Sequence, residues 1–139
     1  MVLCLLASLL AGCGTKTTAS DRRVARAVVD VVERNMTAAE ARDGRAYCAT
    51  FTGHYLRDHF KGGFASCLRR FKGPAVAIEG SNDIRYLNAA PTSDRDALVH
   101  FTLGKARELD YVMKLGAPPP GSPRGTRWLI DARAPVVQN

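Results

Sequence analysis

Cysteine and histidine are the residue types here most able to ligate or bond covalently, and the chain holds four cysteines and three histidines. Cys48, His54, His59 and Cys67 fall within one stretch of 20 residues. Two thiolates and two imidazoles could hold a tetrahedral zinc ion; two thiols alone could oxidise to a bridge. The stretch lacks the close cysteine pair of zinc modules, so no metal is expected, and each histidine reads as a solvated or packed side chain on a short helix. The choice between these chemistries turns on whether the thiols meet an oxidising compartment.

The N-terminus speaks to that compartment. Residues 1–12, MVLCLLASLLAG, carry no charge and lead into a polar stretch from Gly14 to Ser20. An apolar centre of about 7 to 15 residues followed by small residues is the plan of an export signal. Leu10-Ala11-Gly12-Cys13 resembles the lipobox of bacterial lipoproteins, although no Lys or Arg precedes Cys13 to form the usual basic start. The resemblance implies that the Cys13 thiol is acylated and becomes the first residue of the mature chain, anchored to a membrane. The expected location is the outer face of the bacterial cytoplasmic membrane or the cell envelope. Removal of the signal takes Cys4 and acylation takes Cys13, which leaves Cys48 and Cys67 to form a disulfide.

The elements that must position these residues follow from period and punctuation. Residues 13–20 read as a lipidated tether. Ser20 and Asp21 are suitable caps for a helix in which Val24, Ala27, Val28, Val31 and Val32 recur at three- and four-residue spacing, ending near Arg42 before Asp43-Gly44. From Arg45 to Phe71 the pattern breaks into short helical pieces, with Thr52 a cap and Gly62-Gly63 a break. Beyond Lys72-Gly73-Pro74 the period becomes two, and segments 75–79, 84–89, 95–103, 108–115 and 126–133 read as strands. Their spacing leaves no room for crossover helices, so the sheet should be mainly antiparallel. The predicted fold is a single α+β domain over 21–135, with N-terminal helices packed on a curved sheet and a tail at 136–139.

This order, closing on Gly125-Thr126-Arg127-Trp128-Leu129-Ile130-Asp131, resembles the nuclear transport factor 2-like superfamily, more narrowly its small exported lipoproteins. The resemblance covers about residues 20–135 and implies a cystatin-like cone in which the sheet wraps the helices around a pocket. The superfamily includes ketosteroid isomerases, SnoaL-like cyclases and binding modules, so the fold does not decide the chemistry. Acid-base catalysis in such a pocket needs a carboxylate or imidazole beside a phenol or protonated acid. Strict alternation puts Phe101, Tyr111 and Trp128 on the apolar face and turns His100, Asp110, Asp131 and Arg133 away from it. Tyr55, Phe101, Tyr111 and Trp128 are then the expected pocket lining. His54, Tyr55, Asp58 and His59 remain as the titratable groups that a helix could bring inward.

A net charge of +7 completes the reading. From Gly14 to Pro74 there are 12 basic and 6 acidic residues, and from Ala75 to Asn139 there are 8 and 7. The helical half is therefore the basic one, suited to anionic lipid heads or envelope polymers. No nucleic-acid motif accompanies it, and no cofactor is expected. The sequence thus points to a non-enzymatic, lipid-anchored envelope protein that binds a partner protein or a small apolar ligand, or serves as a structural accessory. An isomerase- or cyclase-type enzyme working in the cone is the alternative.

Overall fold

The computed structural model describes residues 16–72, 84–104 and 107–135. The export signal, Cys13, the expected strand at 75–79 and the tail at 136–139 lie outside them. The described chain runs α1 (Ala19–Glu40), α2 (Gly44–Cys48), α3 (Gly53–Phe60), α4 (Gly63–Phe71), then β1 (Ile84–Pro91), β2 (Asp96–Leu103), β3 (Arg107–Gly116) and β4 (Arg127–Pro135). The strands pair in sequence order, each neighbour antiparallel, and the helices cover one face. The fold is α+β, as expected. Among the described residues no helix is long and apolar enough to cross a membrane.

α1 starts earlier than the sequence implies. Thr18, not Ser20 or Asp21, is the cap: its hydroxyl accepts from the Asp21 amide at 3.0 Å, and the Asp21 carboxylate accepts from the Thr18 amide at 2.9 Å. This reciprocal box satisfies two donors that a helix start otherwise leaves open, and it places Ser20 inside the first turn. The apolar stripe then buries Val28, Val31, Val32 and Met36. Opposite them, alternation in β2 and β3 buries Val99, Phe101, Tyr111 and Met113, and β4 adds Ile130.

Between α1 and the sheet lie three helices of 5, 8 and 9 residues. None is long enough to hold its shape unaided, because a helix of fewer than about 12 residues barely repays its nucleation. Tertiary ties replace length. Asp43 and Thr52 cap α2 and α3 through the amides of Ala46 and Tyr55. The sharp turn into α4 passes through Lys61 and Gly63 at φ of 48° and 77°, the second a left-handed value that glycine adopts without strain. Cys48 at the end of α2 is bridged to Cys67 in α4, and both are fully buried. Thr50 to Thr52 then runs along the free edge of β4, where the Thr52 amide donates to the Ile130 carbonyl at 3.0 Å and the Ile130 amide to the Thr50 carbonyl at 2.8 Å. The edge of β4 is thereby covered at Ile130.

Two register shifts interrupt the sheet. Leu87 is the extra residue between Tyr86 and Asn88 of β1, and it is exposed. In β4, Met113 faces Ile130 while Val112 faces Ala132, so Asp131 is the extra residue. A bulge of this kind inverts the facing of everything beyond it. Trp128 and Ile130 face the helices as alternation requires, but beyond Asp131 it is Arg133, paired with Tyr111, that faces inward. The expectation that the ionisable residues of the strands all face away is overturned at Arg133.

The bridge is the tie most open to measurement. Its cysteines are 19 positions apart, and a loop of that size should contribute about 3 kcal/mol by restricting the unfolded chain. Replacing both cysteines with alanine should lower the urea unfolding free energy by about that amount. A loss of only a few tenths would show that the short helices are held by packing alone.

Candidate functional site

The Cys48, His54, His59 and Cys67 set does not converge. The cysteines are bonded to each other, and His54 is exposed and pairs with Asp58 at 3.3 Å along α3. The His59 ring stacks on Tyr55 with centroids 3.9 Å apart, its Nδ1 3.1 Å from the Tyr55 carbonyl oxygen. No group of three potential metal ligands occurs among the described residues. On the face of the sheet away from the helices, His100 Nδ1 lies 2.7 Å from Asp110 Oδ1, with Glu108 at 3.7 Å from Nε2.

Of the expected pocket-lining residues, Tyr55, Phe101 and Tyr111 share the buried core, where Phe101 and Tyr111 meet edge to face at 4.8 Å. They do not surround Trp128, which is half-buried at the start of β4. What Tyr55 and Tyr111 do surround is Arg133. Its guanidinium lies 4.8 Å from the ring centres of Phe51 and Tyr111, 5.7 Å from Tyr55 and 6.0 Å from Tyr47. A ring face attracts a cation by about 0.5 to 2 kcal/mol, more as water is removed. Phe51 stacks on Tyr55 at 4.4 Å and meets Tyr47 edge-on at 5.1 Å, so the rings are mutually fixed before they meet the cation.

One buried amide anchors the charge. Arg133 Nη2 donates to Asn35 Oδ1 at 2.7 Å, Asn35 Nδ2 donates to Thr50 Oγ1 at 2.7 Å, and Thr50 Oγ1 donates to the Tyr47 carbonyl at 2.7 Å. Arg133 only donates and the Tyr47 carbonyl only accepts, while Asn35 and Thr50 between them do both, so the buried polar groups of this relay are paired. Arg133 Nε is the exception, buried without a partner among the described residues. The bulge residue is held as well: Asp131 Oδ1 accepts from the Thr52 hydroxyl at 2.7 Å, and Lys114 Nζ lies 3.8 Å from Oδ2.

Sequence reasoning missed both partners. Asn35 had a signal, since it falls three and four residues after Val32 and Val31 on the apolar stripe. A polar side chain on a core-facing stripe implies a buried partner. Arg133 had none, because a one-residue bulge leaves no mark in the hydrophobic period.

A concavity lies beside α1. It is an open groove of about 990 Å³ between α1, the α2 region and the connection from β3 to β4. Its floor is largely small and apolar, with Ala27, Val31, Ala38, Ala49, Leu115 and Trp128. Arg34 and Arg127 line it from opposite elements, together with the carboxylates of Asp30, Glu33 and Asp43. Arg127 is tied in place, Nη1 donating to the Pro123 carbonyl at 2.9 Å and Nη2 to the Ala49 carbonyl at 3.3 Å. Burial, and then the neighbouring charge of Arg34, hold Arg127 below the usual arginine range.

Compared with known protein families, characterised proteins and solved structures, the chain matches none. The arrangement of its own side chains must carry the functional reading.

The aromatic cluster has a measurable consequence. Burial pushes the phenols of Tyr55 and Tyr111 above their ordinary value of 10.0, with Arg133 pulling the other way, and burial followed by Glu33 and Asp30 does the same to Tyr86. Below about pH 10 the folded and unfolded chains both keep these protons and stability is complete. Above it the unfolded chain releases them first, so stability falls as pH rises toward the folded values. Urea midpoints should therefore hold up to about pH 10 and drop above it, and Tyr111→Phe should flatten the drop. Equal slopes in the two proteins would show that the Tyr111 phenol is not shifted.

Proposed function

We propose that this protein is a non-enzymatic, lipid-anchored protein of the bacterial cell envelope that works by binding. The observation that carries the reading is the fixed cation in its aromatic interior. Abstraction of a proton beside a carbonyl needs a base there, a carboxylate or imidazole within reach of a phenol. Arg133 stands among Tyr47, Tyr55 and Tyr111 instead, and a guanidinium does not release its proton at any working pH. Side chains at that position act as a packed, charged centre that sets the shape of the domain. The isomerase or cyclase alternative draws no comparable support.

Binding then falls to the surface, where the groove beside α1 offers apolar contact and charge together. The likeness to nuclear transport factor 2-like lipoproteins belongs to the same reading, as does the anchor at Cys13. The disulfide supports export, since such bridges persist in oxidising compartments.

The anchor is tested on protein taken from bacterial membranes. Mass spectrometry should find a mature chain that begins at Cys13 and carries a diacylglyceryl thioether, and Cys13→Ser should move the protein into the soluble fraction. A mature chain that begins elsewhere, or an unmodified Cys13, would remove the anchor from the account.

A further inference from the structure

The groove beside α1 holds two arginines from elements far apart in the chain. Arg34 projects from α1 and Arg127 from the start of β4, and both line the same concavity. Among the described residues neither forms an ion pair with a carboxylate. Their hydrogen bonds go to neutral groups: Arg34 Nε donates to the Asp30 carbonyl at 3.3 Å, and Arg127 donates to two carbonyls and, at 3.4 Å, to Ser122 Oγ. Two like charges facing one groove repel each other, and the repulsion is relieved when an anion sits between them.

The other groups narrow that anion to one kind. Asp30 and Glu33 line the groove as well, and Asp43 lines it with one carboxylate oxygen committed to the Ala46 amide. Three carboxylates against two guanidiniums oppose a ligand carrying several negative charges but tolerate one carboxylate placed between the arginines. A planar carboxylate also fits the fork of a guanidinium. The floor of alanines, Val31, Leu115 and Trp128 asks for an apolar body behind the head. The volume of about 990 Å³ lies at the upper end of small-molecule sites, which span roughly 300 to 1,000 Å³.

We infer that this groove binds an apolar monocarboxylate of the fatty-acid class, with its head between Arg34 and Arg127 and its chain along the alanine-lined floor to Trp128. The inference rests on the proposed binding role and names the ligand class for it.

Trp128 is the chain's single tryptophan and lines the groove, so its emission responds to a ligand there. The test titrates dodecanoate, below the concentration at which it aggregates, into the full-length chain carrying Cys13→Ser. A saturable blue shift is expected. Arg127→Gln should weaken binding about tenfold, a change worth about 1.4 kcal/mol, and Arg34→Gln severalfold, while Arg69→Gln on α4 should change nothing. Because Arg127 also ties the β3–β4 connection, the exposed Arg34 provides the variant that does not threaten folding. Dodecanol and dodecyl phosphate should bind more weakly than dodecanoate. Equal binding of dodecanol would overturn the carboxylate site while leaving a groove that binds apolar molecules. An unchanged affinity in Arg34→Gln and Arg127→Gln would do the same. No response to any of the three would overturn the ligand inference and the groove's binding role, without touching the anchor, which the mass of the mature N-terminus decides separately.

Discussion

A positive charge inside an apolar layer is costly unless its surroundings are built to receive it, and much of this domain is arranged around one such charge. Arg133 reaches the interior because Asp131 adds one residue to β4, and Asp131 stays outside because Thr52 and Lys114 hold its carboxylate. Thr52 is also the cap of α3, and its amide closes the edge of β4 beside Ile130. One short stretch, Thr50 to Thr52, thus starts a helix, covers a sheet edge at Ile130, fixes a bulge and completes the polar chain from Arg133 through Asn35. The aromatic rings that face the guanidinium come from α2, from the Thr50–Thr52 stretch, from α3 and from β3, so the cation joins elements that lie far apart in the chain.

The disulfide and the cation act on the same weak part of the fold. Helices of 5, 8 and 9 residues have little stability of their own. Cys48–Cys67 ties the first to the third, Phe51 and Tyr55 pack the middle one against the sheet, and Arg133 lies over their rings. A covalent link and a shared charged centre thus stand in for longer helices.

Much of this was legible in the residues. The order of helices before strands follows from the change of period after Lys72. The Cys48–Cys67 pairing follows from counting cysteines once export is assumed, and the cap at Thr52 and the break at Gly62-Gly63 from local chemistry. What escaped is equally physical. The Thr18 cap lost to Ser20 and Asp21 because all three are good capping residues, and only the reciprocal bond with Asp21 separates them. Alternation puts Arg133 on the outer face because it counts residues, and a bulge changes the count by one. The groove is composite: Arg34 and Arg127 are 93 positions apart, and no pattern along the chain pairs them.

The inward placement of Arg133 is the claim on which the rest stands, and nuclear magnetic resonance tests it directly. The side-chain protons of Arg133 should be shifted upfield by the rings of Phe51 and Tyr111 and should show nuclear Overhauser contacts to both rings and to the Asn35 amide. Unshifted protons with rapid solvent exchange and no such contacts would mean that Arg133 points outward, that β4 alternates without a bulge, and that the interior carries no fixed charge.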